Sequence, residues 1–199
     1  MLQEIIKKVV SFLIALAALI VLSPLFLIIA IAIKIDSRGP IFFIKERVGK
    51  NGKPFKFLKF RSMSTQAVYT INDVAQQDPH ITRVGKFLRE WTLDELPQLI
   101  NVVKGDMSFV GPRPMPSYEG EDKNMKALWQ KRISVVPGLV SLVDIKGRNL
   151  VSWEKRFEYD AWYADHQSFW LDMKILILGF FAVLSRRGVY GKEDSKNSL

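Results

Sequence analysis

The sequence predicts an α+β protein: a kinked N-terminal membrane helix, a small β-hairpin and several short helices, some of them amphipathic and interfacial. Three observations carry this prediction. No charged residue lies between Val9 and Ile33, and Ser23-Pro24 interrupts that stretch. Between Ile41 and Phe60 two strand-like runs flank a turn rich in Gly, Asn and Lys. Beyond them, short apolar-periodic segments alternate with Gly and Pro breaks as far as Leu184.

As a helix, Val9–Ile33 would extend ~37 Å, more than the ~30 Å hydrocarbon core of a bilayer requires. Its apolar length, with no small-residue cleavage site before a polar body, is unlike a cleavable signal peptide. Pro24 has no N–H to give the Ile20 carbonyl and its ring crowds that carbonyl, so a bend is expected there. The Ser23 hydroxyl is expected to bond back to the Leu19 carbonyl and deepen the bend. Divided at Ser23-Pro24, the arms would measure only ~21 Å and ~14 Å, and neither spans a bilayer. Lys7 and Lys8 precede the segment, and Lys34 and Arg38 follow it. Positive charge prefers the cytoplasmic side and here marks both ends. A straight, kinked span and a re-entrant helix that enters and leaves on one face both remain open from these residues.

Composition narrows the chemistry. The 199 residues carry a net charge of +9, and 48% are hydrophobic, which suits a packed core rather than disorder. The absence of cysteine removes disulfides, thiolate zinc sites and a cysteine nucleophile. With only His80 and His166, a histidine metal cluster or a Ser-His-Asp triad is excluded as a working hypothesis. The charge is concentrated: Arg38, Lys45, Arg47, Lys50, Lys53, Lys56, Lys59 and Arg61 are opposed only by Glu46. Such a stripe suits an anionic membrane surface or a phosphorylated substrate, or else a solvated hairpin face.

Three regions follow: residues 1–36 as the membrane helix, 37–187 as the domain it anchors, and 188–199 as a polar tail. Within the domain, Ile41–Ile44 and Phe55–Phe60 read as strands around an Arg47–Gly52 turn. Ser64–Asp78 is polar and weakly patterned, which predicts a mobile loop. Thr82–Glu90 reads as a helix with Arg83, Lys86 and Arg89 roughly on one side.

The segment Trp91-Thr-Leu-Asp-Glu-Leu-Pro-Gln-Leu-Ile-Asn-Val-Val is the most informative. Asp94 is placed as an N-cap with Pro97 in the first turn, Leu96, Leu99, Ile100 and Val103 as an apolar stripe, and Gly105 as the stop. A purely structural role for the pair fits this placement, with Asp94 capping and Glu95 complementing the dipole. A chemical role fits too. A helix start attracts phosphate, Arg89 lies upstream, and Gly111-Pro-Arg-Pro114 presents Arg113 from a rigid turn. Beside phosphate, one carboxylate can hold Mg²⁺ while the other is free to attack phosphorus.

In the C-terminal half, Pro137-Gly138 and Gly147-Arg148 read as turns. Ser152–Gln167 is predicted as a helix whose Trp153, Phe157, Tyr159, Trp162 and Tyr163 belong either to the core or to an aromatic belt at the lipid headgroups. Met173–Leu184, with Arg186 and Arg187 after it, is too short to span and reads as buried or, preferably, interfacial.

Taken in order, these motifs resemble the monotopic phosphoglycosyl transferases, the bacterial sugar transferases that prime glycan assembly on polyprenol phosphate. The resemblance runs from about Lys7 to Arg187. It rests on Ser23-Pro24, Gly39-Pro40-Ile41-Phe42-Phe43, Lys59-Phe60-Arg61-Ser62-Met63, Thr82-Arg83-Val84-Gly85, Leu93-Asp94-Glu95-Leu96-Pro97-Gln98-Leu99, Gly105-Asp106-Met107-Ser108, Gly111-Pro112-Arg113-Pro114, Pro137-Gly138, Gly147-Arg148 and Asp160–Tyr163. It implies a reaction at the cytoplasmic face of the bacterial plasma membrane. Asp94 would attack the β-phosphorus of a UDP-sugar and expel UMP, and polyprenol phosphate, typically undecaprenyl phosphate, would take the sugar-phosphate from the enzyme. It also implies Glu95 as a Mg²⁺ ligand, Lys59, Arg61, Arg89, Gln98, Arg113 and Arg148 as substrate or phosphate contacts, and a re-entrant membrane helix. Downstream glycosyltransferases are candidate partners.

The sequence departs from the family pattern at three places. Ser11 stands where an Asp is usual, Lys45 where Gln is frequent, and Pro137-Gly-Leu-Val-Ser-Leu-Val-Asp144 replaces Pro-Gly-Ile-Thr-Gly-x-Ala-Gln. The last change bears on the nucleotide or sugar pocket. A catalytically silent membrane scaffold of the same fold is the alternative, against which the intact Asp94-Glu95 pair argues. Nucleic-acid binding is not expected, because beyond Phe55, Phe57 and Phe60 the basic stripe has no interleaved stacking surface.

Overall fold

One long helix, α1 (Leu2–Asp36), carries the apolar N-terminus. The structure, a computed structural model, describes residues 2–64, 78–117 and 125–184. The predicted loop, from 65 to 77, lies outside the described residues, as do Arg186, Arg187 and the 188–199 tail. The range of α1 runs without a break through Pro24, and by length and composition the helix is able to cross a membrane. Ser23 bonds one residue away from the expected carbonyl: its hydroxyl donates to the Ile20 oxygen at 2.8 Å, not to Leu19. Ile20 is the carbonyl that Pro24 leaves without a helical donor, so the serine satisfies the group the proline orphans.

The hairpin is present, with longer strands than predicted. Strands β1 (Phe42–Val48) and β2 (Pro54–Phe60) pair antiparallel from Phe42 opposite Phe60 to Val48 opposite Pro54. Arg47 therefore belongs to a strand, and the turn is reduced to a short 3₁₀ segment at Lys50–Gly52. Phe55 and Phe57 turn inward and pack with Ala15 of α1 and with Leu99, Val102 and Met107. At ~1.5–3 kcal/mol for each large apolar side chain removed from water, this cluster fixes the hairpin against the helix.

Helix α2 (Arg83–Glu90) begins as predicted at Thr82, whose hydroxyl oxygen accepts from the Gly85 N–H. Helix α3 (Gln98–Lys104) ends at Gly105, which takes φ 79°. The N-cap assignment of Asp94 does not hold. Asp94 and Glu95 lie in a separate 3₁₀ turn, Leu93–Glu95, and Pro97 occupies the α3 cap position. The cause is local: Thr92 adopts φ 58°, ψ 18°, reversing the chain before the carboxylates rather than after them.

Two three-residue strands, β3 (Ser108–Val110) and β4 (Gly138–Val140), pair in parallel, Ser108 opposite Gly138 and Val110 opposite Val140. Pro137-Gly138, read above as a turn, therefore opens a strand. Glycine is required here because a Cβ on Gly138 would lie 2.0 Å from the Gly111 nitrogen. This close approach positions Gly111-Pro112-Arg113-Pro114.

Helices α4 (Lys126–Ile133), α5 (Leu142–Lys146), α6 (Trp153–Asp165) and α7 (Phe169–Leu184) close the domain. The aromatics of α6 divide: Phe157 and Tyr163 are core, and Trp162 is exposed. Helix α7 starts earlier than predicted and buries Asp172, Ile175 and Gly179. It leaves Phe169, Trp170, Ile177, Phe180, Phe181 and Leu184 exposed.

Candidate active site

The sharp turn at Thr92 drives Asp94 and Glu95 into the interior, at 7% and 8% exposure. Two carboxylates buried side by side are unfavourable unless cations meet them. Lys59, near the end of β2, places its Nζ 2.7 Å from Glu95 Oε1 and 3.6 Å from Asp94 Oδ2. Arg113, from the turn after β3, forks onto Glu95, with Nη1 to Oε2 at 3.1 Å and Nη2 to Oε1. Arg89, on the last turn of α2, is steadied by its Nε donating to Ser62 Oγ at 2.9 Å, and its charge is felt at Asp94.

The two carboxylates consequently differ. Burial alone would raise Glu95, but Arg113 and Lys59 outweigh it and hold that carboxyl well below its ordinary range. Asp94 is raised above its ordinary value, chiefly by burial and then by the Glu95 charge, with Lys59, Arg89 and Arg113 opposing. Arg113 is raised by Glu95, so it stays protonated at any working pH. Glu95 is thus a clamped anion. Among the described residues Lys59 is the only ion-pair contact of Asp94.

Known proteins are similar to this chain in sequence. The family described as bacterial sugar transferase matches residues 2–186. The chain belongs to that family. It is 42% identical over 170 residues to the uncharacterized sugar transferase EpsL of Bacillus subtilis (strain 168), covering 83% of this chain and 79% of the relative. It is 40% identical over 200 residues to the exopolysaccharide production protein ExoY of Sinorhizobium fredii (strain NBRC 101917 / NGR234), covering 92% and 88%. It is 39% identical over 191 residues to the UDP-glucose:undecaprenyl-phosphate glucose-1-phosphate transferase of Klebsiella pneumoniae. That match covers 92% of this chain but only 41% of the longer Klebsiella protein.

In this bacterial sugar transferase, Lys59, Arg89 and Arg113 are brought to the Asp94–Glu95 pair, and among the described residues the other expected contacts make no hydrogen bond or ion pair with it. Arg61 is buried against the end of α1, where it donates to Ser37 O at 2.7 Å and to the Arg38 carbonyl. Gln98 is completely buried, and neither atom of its amide has a partner among the described residues. Arg148 sits at φ 53° and donates to Thr92 Oγ1 at 3.2 Å, so it supports the turn that carries Asp94. Its Nε also lies 3.9 Å from Asp144 Oδ1. Asp144, in the atypical stretch, forms a capping box with Ser141 at the start of α5.

Three functional neighbours had little sequence signal. Thr92 precedes the motif but gives no hint of its left-handed backbone. Ser62 orients Arg89, and Arg132 reaches the backbone of Arg113 from α4 with its Nη2 2.7 Å from the carbonyl oxygen.

No group of three or more Asp, Glu, His or Cys that could hold a metal ion occurs among the described residues. Among the described residues, this pair together with substrate oxygens would be the seat for a metal. An ionised carboxylate offers about four lone-pair sites. On Glu95, Lys59 and Arg113 take three contacts, two on Oε1 and one on Oε2. Among the described residues Oε2 accepts from Arg113 alone, and Glu95 would hold Mg²⁺ as one of the one or two carboxylates that ion uses, its shell completed by phosphate oxygens and water.

Proposed function

We propose that this chain is a membrane phosphoglycosyl transferase. It moves a sugar-1-phosphate from a UDP-sugar to polyprenol phosphate through a covalent intermediate on Asp94. The observation that carries the reading is the asymmetry of the pair: Glu95 is held by Lys59 and Arg113, while Asp94 meets Lys59 only at 3.6 Å. A carboxylate locked in a bidentate fork is a poor nucleophile, and its loosely held neighbour is the better one.

In the first half-reaction an Asp94 oxygen attacks the β-phosphorus, the bond from that phosphorus to the UMP oxygen breaks, and UMP leaves with the electron pair. In the second, a phosphate oxygen of polyprenol phosphate attacks the same phosphorus. The Asp94 ester bond breaks, and a polyprenyl-diphospho-sugar leaves the enzyme. Arg89 and Lys59 supply positive charge as the phosphoryl oxygens gain negative charge. Glu95 would hold Mg²⁺, which would neutralise diphosphate charge that would otherwise repel Asp94. The similarity to the Klebsiella UDP-glucose:undecaprenyl-phosphate glucose-1-phosphate transferase supports the donor and acceptor classes.

The membrane helix is read as re-entrant, with the domain on the cytoplasmic face of the plasma membrane. Both ends of α1 are tied to the same body. Near its start, Lys7 Nζ meets Asp172 Oδ2 at 2.8 Å, Tyr163 OH at 2.8 Å and the Val110 carbonyl at 3.0 Å. At its end, Asp36 Oδ2 accepts from Val84 N at 3.0 Å, and Arg61 binds Ser37. A straight span would carry these ends to opposite sides of a ~30 Å core. The exposed apolar faces of α1 and α7 support an interfacial seat.

The test is UMP release by detergent-purified protein given Mg²⁺, a panel of UDP-sugars and undecaprenyl phosphate. Release with at least one donor, abolished in Asp94→Asn, is expected. Full activity in that variant would overturn the nucleophile assignment.

A further inference from the structure

Arg113 must project from an irregular turn and still meet Glu95 with both arms of its fork. A guanidinium loses its bidentate geometry when its backbone shifts, so something has to hold that backbone. The side chain of Arg132, on α4, is 3% exposed and lies beneath the turn. Its Nη2 donates to the Arg113 carbonyl at 2.7 Å, and Nη2 and Nε both donate to Asp160 Oδ2, at 2.8 and 3.1 Å. Asp160, on α6, is 1% exposed. The guanidinium carbon lies 5.2 Å from the Trp129 ring centroid and 5.1 Å from that of Phe157, two rings that adjoin each other at 6.0 Å. A buried ion pair of this kind adds little net stability against apolar replacements, which makes its presence informative.

We propose that Arg132 and Asp160 are positioning residues for the transferase reaction, holding the Arg113 backbone so that its guanidinium stays forked on Glu95. The inference rests on the reading of Asp94 and Glu95 as the reacting pair. Neither residue touches the pair. Asp160 orients Arg132, Arg132 fixes the carbonyl of Arg113, and Arg113 clamps Glu95. The Gly111–Gly138 crossing fixes the upstream side of the same turn, and the Pro112 carbonyl accepts from Gly138 N at 2.9 Å. The turn is therefore gripped from both sides.

The test uses the full chain in detergent. Asp160→Asn keeps the shape and removes the charge. Arg132→Lys keeps the charge but removes the planar fork, and provides a milder variant if Asp160→Asn folds poorly. Below the melting temperature of every variant, each is expected to lower kcat by about 10- to 100-fold with a smaller change in donor KM, since displacing a group from afar can cost that much. Combined with Arg113→Lys, either should add less than about twofold to the loss, because variants acting through one group are not additive. A merely structural role would instead multiply the losses, and that result, or an unchanged kcat, would overturn the proposal. Hydrogen exchange gives a readout independent of turnover. In both variants exchange should rise at 111–117 and stay unchanged in the hairpin; equal protection at 111–117, or loosening everywhere, would count against it. Wild-type protein inactive with every donor would instead defeat the transferase reading, and exchange would still decide the positioning role.

Discussion

Lys59 donates to Glu95 at 2.7 Å while standing 3.6 Å from Asp94, so a single ammonium serves both carboxylates unequally. It completes the clamp on one and offsets the burial cost of the other. Lys59→Met is therefore expected to raise the Asp94 pKa further, because the main opposing charge is gone. The acid limb of the kcat–pH profile should move to higher pH, and kcat should fall by roughly 10²-fold, the usual scale for removing one electrostatic stabiliser. A profile with an unmoved limb would separate Lys59 from Asp94.

Glu95 sets an acid-stability signature. Its folded pKa is held below its ordinary 4.5, so its contribution is fully present above about pH 4.5 and lost as the pH falls through the depressed value. Urea unfolding between pH 3 and 6 should show wild-type stability falling at the acid end. Glu95→Gln should be less stable above pH 5 and should lack that part of the slope.

Asp160 has the opposite sign. Burial, opposed by Arg132 and Arg156 and assisted by Asp144, pushes its carboxyl up from 3.8 to about 6. The folded state holds this proton more tightly than the unfolded one, so the Asp160 contribution improves as the pH falls from about 6 towards 3.8. Asp160→Asn is expected to remove that pH dependence. The same substitution should also destabilise the protein, by up to about 3–5 kcal/mol, since Arg132 loses its partner in the interior. Unfolding titrations at pH 4, 5, 6 and 7 check both effects.

The re-entrant reading makes a labelling prediction that the cysteine-free sequence keeps clean. Single Lys8→Cys and Lys53→Cys variants in sealed inside-out vesicles should both react with a membrane-impermeant maleimide. Protection of Lys8→Cys until detergent is added would instead favour a straight span.

Much of this was legible in the sequence, for identifiable reasons. The hairpin showed because its strands alternate, and α2 and α3 showed because Thr82 and Gly105 punctuate them. The Asp94-Glu95 pair stood out through the Gly, Pro and Arg motifs around it. The N-cap reading failed at Thr92, where a threonine in a left-handed conformation gives no local warning. The β3–β4 pair was hidden because three-residue strands carry no period. Arg61 and Arg89 look alike as charges in sequence, but one closes the end of α1 and the other turns towards Asp94, a difference set by packing over long separations. Arg132 and Asp160 lie 28 residues apart and meet only when α4 and α6 pack.

The covalent step is tested most directly by trapping it. Wild-type protein mixed with a turned-over UDP-sugar and Mg²⁺, without lipid acceptor, should release up to one UMP per active site. Intact-mass and fragment analysis should then place a sugar-phosphate adduct on Asp94, dischargeable by polyprenol phosphate and absent from Asp94→Asn. UMP release without an adduct in the wild type, or an adduct on another residue, would contradict the assignment of Asp94 as the nucleophile.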